Sequence, residues 1–371
     1  MKFAIITHTI HKKKNNNFYA YEPYVREINL WLKYVSEVKI LAPIDDSKIR
    51  VIDSIYTDSI PITLEVIPAF NIISLKNKFL SIFRIPLIML KILKVCFWAD
   101  HIHIRCPGNI GLLGSFVQVF FPHKIKTVKY AGNWDPESKQ PLSYILQKKI
   151  LSNTFFTRNC KVLVYGKWKN QTKNILPFFT ATYNEDEKKA VYSKVVDKKV
   201  RLIFVGNFSE SKQPLKSVLV AEKLKNKGYD VELNMFGNGV EYNNVLKYIE
   251  DKRISDFIHL KGNKSKNEIK TAFQKSNFLV FVSKSEGWPK VIAEAMFWGC
   301  LPISSKISCI PYMLDFGRRG KLTSGDVNEI VIIIESYISN KEKYLEESNL
   351  AKKWSQQFTL EKFQESIKRI I

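Results

Sequence analysis

Residues 278–304, FLVFVSKSEGWPKVIAEAMFWGCLPIS, constrain the fold more than any other stretch of this chain. Residues 278–282 are a short apolar run rich in β-formers, and a polar loop over 283–286 follows. Pro289 is predicted at the first helical position, where its ring fixes φ and its missing N–H would have had no partner. Val291, Ile292, Ala295 and Met296 then recur at helical spacing, Gly299 offers a stop, and 301–304 reads as the next strand. Strand, helix and strand in this order form a parallel pair, because parallel neighbours need a long crossover.

The loop so placed lies at the carboxyl edge of a sheet and at a helix N-terminus, where free N–H groups and the helix dipole favour an anion. Two carboxylates, Glu286 and Glu294, fall in the same region with seven residues between them. If Glu294 is four or five residues into the helix, it lies about 7 Å further along the axis at about 1.5 Å per residue. One acid would face the reacting end of a bound molecule and the other its middle. Acids beside a phosphate site suit a sugar, whose hydroxyls donate to carboxylate oxygens. From spacing alone, a surface helix with two solvated glutamates is the simpler reading.

The segment SEGWPKVIAEAMFWGCLPIS resembles the E-x7-E region of family 4 (GT4) retaining glycosyltransferases, which have the two-domain GT-B architecture. The S-x-x-E-G, the E-A-M after the second acid, and the glycine, proline and isoleucine entering the next strand match in order. The resemblance implies that Glu286 lies near the donor sugar and that Glu294 holds the donor ribose. In VGNFSESKQ the family pattern is V-G-R with a lysine five residues beyond the arginine, two cations for the nucleotide diphosphate. Lys212 matches the lysine, whereas Asn207 stands at the arginine position and brings no charge. Stabilisation of the leaving phosphate would lean on Lys212, the helix N-terminus at 287–290 and Lys290. Pro289 replaces a glycine usual in the family and removes one N–H donor. Gly206, Gly237, Gly287 and Trp288 complete the implied donor-binding set, with Glu286 and Lys212 as the catalytic pair. Without the resemblance, Lys212 in so lysine-rich a chain reads as a surface charge.

A chain of 371 residues suits two domains, and with 45% apolar residues it can fill large cores. The formal charge of +23 attracts polyanions: nucleic acid, an anionic membrane or phosphate-bearing substrates. Five scattered cysteines without a C-x-x-C pair point to a reducing, cytoplasmic setting. No Cys and His cluster and no Asp-x-Asp is present, so neither a metal nor a cofactor is expected. The N-terminus, with a short apolar run followed by lysines, reads as a first strand and loop and not as a signal peptide.

In chain order, 3–7 reads as a strand and 8–21 as a loop, basic and solvated, in which His8, His11 and Lys12 to Lys14 could also meet a phosphate. A helix over 23–35 turns Val25, Ile28, Leu32 and Val35 inward, and 37–42 is the second strand. Residues 75–98 are too often interrupted by lysine and arginine to span a bilayer, and read either as an outer domain helix or as a basic amphipathic helix on anionic headgroups. A strand over 100–105 points His101 and His103 to one face as satisfied core histidines, and 106–111 follows as a loop. After a strand over 127–131, Asn133, Trp134 and Asp135 are acceptor or donor-sugar contacts. The histidine that many GT4 enzymes carry near this point is missing. Residues 160–165 are the last clear strand of the first half, and 173–199 carries the transition. A second alternation follows: strand 201–207, helix 215–227, strand 231–236, the turn Gly237-Asn238-Gly239, strand 257–260, and helices over 328–337 and 341–354. The expected architecture is α/β, GT-B, two doubly wound Rossmann-like domains facing across a cleft. Its parts are 1–180 on the acceptor side, a linker over 181–200, a nucleotide-sugar domain over 201–354, and a closing helix in 355–371 that, by resemblance, packs back on the first domain.

Together these readings describe a metal-independent, retaining transferase. It would move a sugar from a nucleotide-diphosphate sugar to a glycan or a lipid-pyrophosphate-linked saccharide, in cell-surface polysaccharide synthesis on the cytoplasmic face of the membrane. An anionic membrane surface is a second expected partner and nucleic acid is not one. The rivals are a nucleotide-sugar epimerase of the same fold and a non-catalytic basic binding protein.

Overall fold

Strand and helix alternate twice along the chain, and each run closes a parallel sheet of its own. The computed structural model describes residues 1–57, 59–68, 75–190, 196 and 199–371, with side chains left aside at 75–82 and 189–190. The chain divides into two units, Met1–Phe179 with Phe363–Ile371, and Thr180–Lys362.

The first unit contains β1 (Lys2–Ile6), β2 (Lys12–Lys14), β3 (Asn17–Tyr21), α1 (Glu22–Leu32), β4 (Glu37–Ala42), β5 (Asp53–Ile55), β6 (Ile62–Val66) and α2 (Leu75–Trp98). It continues with β7 (His101–Cys106), α3 (Asn109–Val117), β8 (Ile125–Tyr130), α4 (Leu142–Ser152), β9 (Cys160–Tyr165) and β10 (Ile175–Phe178). Seven strands pair in the order β10-β9-β8-β7-β1-β4-β6, all parallel. One face is covered by α2, α3 and α4: Ile88, Ile92, Val95, Leu113 and Val117 share a buried cluster with Ile6, Ile104, Val128 and Val162. On the other face Trp31 of α1 lies over Phe3 and His103, at ring separations of 6.0 and 4.7 Å.

His101 and His103 are buried and share the Thr127 hydroxyl, at 2.9 and 2.8 Å. Residues 8–21 are not a loop. β2, β3 and β5 make a small antiparallel sheet whose turn puts Asn15 and Asn16 at positive φ, 47° and 62°. β2 is three lysines, β5 is three residues long, and β3 (NFYAY) runs its apolar residues together, so no alternation marks them; Lys12 is buried against Asp53 at 2.8 Å, and His11 against Tyr56 at 2.7 Å. The 106–111 loop is likewise short, because α3 already begins at Asn109. β10 is a further strand that the sequence reading passed over: Pro177 interrupts its pattern, and a proline is tolerated on a sheet edge.

The second unit contains β11 (Lys199–Val205), α5 (Pro214–Asn226), β12 (Asp230–Phe236), α6 (Tyr242–Lys252), β13 (Ile258–Gly262), α7 (Lys266–Lys275), β14 (Phe278–Phe281) and α8 (Lys290–Phe297). After these come β15 (Leu301–Ser305), α9 (Ile310–Met313), β16 (Lys321–Thr323), α10 (Val327–Ser339) and α11 (Lys341–Ser355); α12 (Leu360–Lys368) starts in this unit and belongs to the first from Phe363 on. Six parallel strands run in the order β13-β12-β11-β14-β15-β16. α7 opens on a capping box, with Ser265 and Glu268 satisfying each other's backbone N–H groups. Ser265→Ala is expected to cost about 1 kcal/mol, read as a lower midpoint in chemical denaturation. Of the linker expected over 181–200, residues 191–195 and 197–198 lie outside the described residues, and Glu185–Ala190 form a 3-10 turn. From α12 onward, Phe363 packs edge-on against Phe178 and Phe179 at 5.2 and 5.7 Å, within the first unit.

Candidate active site

In the second unit the strand order reverses between β11 and β14: β12 and β13 lie to one side and β15 and β16 to the other. Loops leaving two such strands diverge and open a crevice at their carboxyl ends, where ligands of open α/β sheets bind. The loop after β11 carries Gly206, Asn207 and Lys212; the loop after β14 carries Glu286, Gly287 and Trp288.

Backbone contact fixes the first loop against the turn after β12. Gly206 N–H donates to Phe236 O at 3.0 Å, and Phe208 N–H donates to Asn238 O at 3.0 Å. Gly237 sits at φ +131°, and a Cβ there would stand 1.8 Å from Gly206 O. A side chain at Gly239 would strike Asn207 Oδ1 at 2.2 Å. Gly237→Ala is therefore expected to destabilise this unit by about 2 kcal/mol, through strain at positive φ and overlap with a carbonyl. Chemical denaturation would measure the loss.

The second loop is pinned at several points. Ser283 N–H donates to Ser305 Oγ at 2.9 Å, and Lys284 N–H donates to Ser211 O at 2.8 Å, joining the two loops. Gly287 O accepts from Ser308 Oγ at 3.3 Å and from Cys309 Sγ at 3.0 Å. Burial pushes the Cys309 thiol up to about 12, so the sulfur keeps its proton and remains a donor. With its loops held in this way, Lys212 Nζ donates to Glu286 Oε1 and lies 4.9 Å from the Phe281 ring centroid. The carboxylate side chain is 7% exposed and the lysine 23%.

Glu294 is the fifth residue of α8, and its Oε1 accepts from Thr182 Oγ at 2.7 Å. Thr182 is a contact that sequence reasoning missed, since 112 positions separate it from the acid. Pro289 is the residue before α8 and not its first helical residue, with φ −72° and ψ 92°. Lys290 opens the helix and is half-buried. At the far end Gly299, at φ +68°, closes the helix: its N–H reaches Met296 O and that of Cys300 reaches Ala295 O, at 3.0 and 2.9 Å.

Trp288 follows Gly287 on the same loop, with its ring turned into packing. It is buried, stacked on Trp354 at 6.2 Å and edge-on to Phe358 at 5.9 Å. In the first unit, Trp134 is also a packing residue, with Tyr130 at 4.8 Å and its Nε1–H donating to Gln171 Oε1 at 2.8 Å. Asn133 Oδ1 and Asp135 Oδ1 accept backbone N–H groups two residues ahead of each, both at 2.9 Å, so these side chains build the loop. The strand reversal of this sheet falls between β1 and β7. There the ring of His8 closes on Gly108, where a Cβ would meet Nδ1 at 3.0 Å.

An ammonium and a carboxylate in contact at such a crevice can divide a phosphosugar between them, the cation meeting phosphate oxygens and the acid accepting hydroxyl protons. Residues 185–355, just under half of the chain, match the family described as "Glycosyl transferases group 1". An uncharacterized 41.2 kDa protein in the cps region of Klebsiella pneumoniae is 24% identical over 59% of this chain and 61% of its own length. An uncharacterized glycosyltransferase of Methanocaldococcus jannaschii is 26% identical over 61% of this chain and 64% of its own length. The chain thus spans less than two thirds of either relative. The solved structure of HepE from Anabaena, in complex with UDP-glucose, superposes with a TM-score of 0.69 over 100% of this chain and 98% of that one, at 14% identity. The architecture is that of the GT-B glycosyltransferases, and the family match supports the GT-B glycosyltransferase superfamily for this chain.

Proposed function

We propose that the chain transfers a sugar, with retention of configuration, from a nucleotide-diphosphate sugar to a glycan or a lipid-pyrophosphate-linked saccharide, in the manner of family 4. The observation that carries the reading is the Lys212–Glu286 pair, on the loops that flank the strand reversal and inside the segment matched to group 1 glycosyltransferases. As the bond from sugar to diphosphate breaks, negative charge grows on the leaving phosphate and positive charge on the sugar ring. Lys212, Lys290 and the start of α8 answer the first charge, with no need of a metal or cofactor. Glu286 answers the second and accepts from sugar hydroxyls, while Glu294, oriented by Thr182, holds the ribose. Asn207, Gly206, Gly237 and Gly287 shape the donor loops. HepE's complex with UDP-glucose makes a uridine nucleotide sugar the first donor to test. A role in surface polysaccharide synthesis at the cytoplasmic face of a membrane is part of the proposal; the relative found in a cps region motivates only the first half of it.

The test is to incubate the protein with nucleotide sugars, with and without a lipid-pyrophosphate saccharide. Nucleoside diphosphate release is measured, and the new linkage is read by NMR. Acceptor-dependent release with an unchanged anomeric configuration supports the proposal. Conversion of donor alone would identify an epimerase, and an inverted linkage would sink the retaining mechanism.

A further inference from the structure

Helices α2, α3 and α4 contain no acidic residue. Between residues 66 and 184 there are 17 lysines and arginines and three acids, Asp100, Asp135 and Glu137. The three helices pack side by side, and their inner faces cover the sheet. Their outer faces are the unusual part. Along α2, Phe83, Leu87, Leu90 and Phe97 are exposed at spacings of four, three and seven, with exposed Lys94 completing the stripe. On α4, Leu142 is 84% exposed, and Ile145 and Leu146 stand open beside Lys149. Phe116 and Phe120 continue the surface beside α3, and Phe155 and Phe156 continue it after α4. Isolated exposed apolar residues are ordinary, whereas a face of adjacent helices built from them marks a partner.

At the amino end of β8 and β9, beside Phe155, a groove of about 710 Å³ is lined by His123, Arg158 and Lys173 among other polar groups. The Arg158 guanidinium lies 4.7 Å from the Phe155 ring centroid, joining a cation to an exposed aromatic. Aromatic and aliphatic side chains with flanking cations and no acids are the chemistry of a bilayer interface, where rings sit at headgroup depth and lysines reach back to phosphates. A second copy would bring two cationic faces together. Nucleic acid would gain nothing from burying Leu87, Leu90, Leu142 and Leu146, which offer no plane to stack on. Among the described residues no helix is long and apolar enough to cross a membrane, so the face can lie on a bilayer without a spanning anchor in that region.

We propose that the outer face of α2, α3 and α4 docks on an anionic phospholipid surface. This deepens the proposed function, since it supplies the plane on which a lipid-linked acceptor is met. The experiment is flotation of the full chain with vesicles of phosphatidylcholine alone, or with about a third phosphatidylglycerol. Binding is expected to the anionic vesicles and to weaken with salt. Lys94→Glu with Lys149→Glu should weaken it by about 100-fold, and Leu142→Gln with Leu146→Gln by about tenfold. These side chains point outward, so circular dichroism should leave the fold unchanged, and donor binding in solution should stay as in the parent. Equal flotation of parent and both variants would overturn the proposal. So would parental binding to duplex DNA without vesicle binding, or a dimer that the leucine variant dissolves. Loss of donor binding in the parent, with flotation intact, would instead sink the transferase reading and leave this surface standing.

Discussion

Lys212→Ala is expected to lower kcat for sugar transfer by about 100- to 1,000-fold, with a much smaller change in KM for the donor. The argument rests on where charge appears. A nucleotide diphosphate is already anionic when it binds, but the leaving oxygen gains its charge as the bond breaks, and a cation held nearby acts most strongly on that difference. Lys212 is held: its ammonium contacts Glu286 and lies over Phe281, and the lysine is largely shielded from water. Removal also leaves the buried Glu286 without its ion-pair partner, so the variant should unfold at a lower temperature. Lys212→Arg separates the two effects. It restores the charge and the midpoint, yet a broad planar guanidinium spreads its charge and cannot replace the compact ammonium at one point, and activity should return only in part. A kcat for Lys212→Ala within about threefold of the parent would show that this lysine serves the fold alone.

Lys212 also shows what sequence can and cannot say. Residues 278–304 were legible because apolar spacing changes there from continuous, to helical, to continuous within 27 positions, the pattern expected of a strand, helix and strand. The pairing of Lys212 with Glu286 was not legible from spacing, since 74 residues separate them, and the family resemblance named both residues without bringing them together. The packing of the Trp288 ring was not legible for a related reason: its partner Trp354 lies 66 residues further on, and a motif says nothing of which aromatic a tryptophan stacks against. The hairpin of β2 and β3 escaped because β2 is three lysines and β3 carries its apolar residues consecutively, so neither alternates, while the turn is made by Asn15 and Asn16 and Lys12 is paired by the distant Asp53. Helices α6 and α7 were passed over although α7 carries a capping box in its sequence, Ser265 and Glu268 three apart, a signal that could have found it.

The first unit should lose stability as pH falls from about 6.5 to 4, well before its carboxylates titrate in bulk. Burial lowers His11 and His101 from 6.5 to about 4 each, with nearby Lys161 adding to the effect on His101. Burial lowers His103 as well, with His101 and Arg105 as further causes. The bonding agrees. His11 Nδ1 lies 2.8 Å from Thr9 O and must carry the proton, leaving Nε2 to accept from the Tyr56 hydroxyl. A second proton on that ring would face a donor, and protons on both His101 and His103 would place two cations on one threonine oxygen. A histidine whose folded pKa is depressed lets the unfolded chain take the proton first. Stability is therefore complete above about pH 6.5 and falls by about 1.4 kcal/mol per pH unit for each histidine. For His11 and His101 the loss comes to about 3 kcal/mol apiece and levels off near pH 4, where the folded rings protonate too. Chemical denaturation across this range should report about three protons taken up by these rings on unfolding, with His8, also lowered by burial and by Arg105, adding to the uptake, and about one proton fewer in His101→Gln, whose amide can still bond Thr127. A profile that stays flat from neutral pH down to about 5 would mean that these rings meet water in the folded chain, and that the packing of Phe3, Trp31 and the paired histidines is wrong.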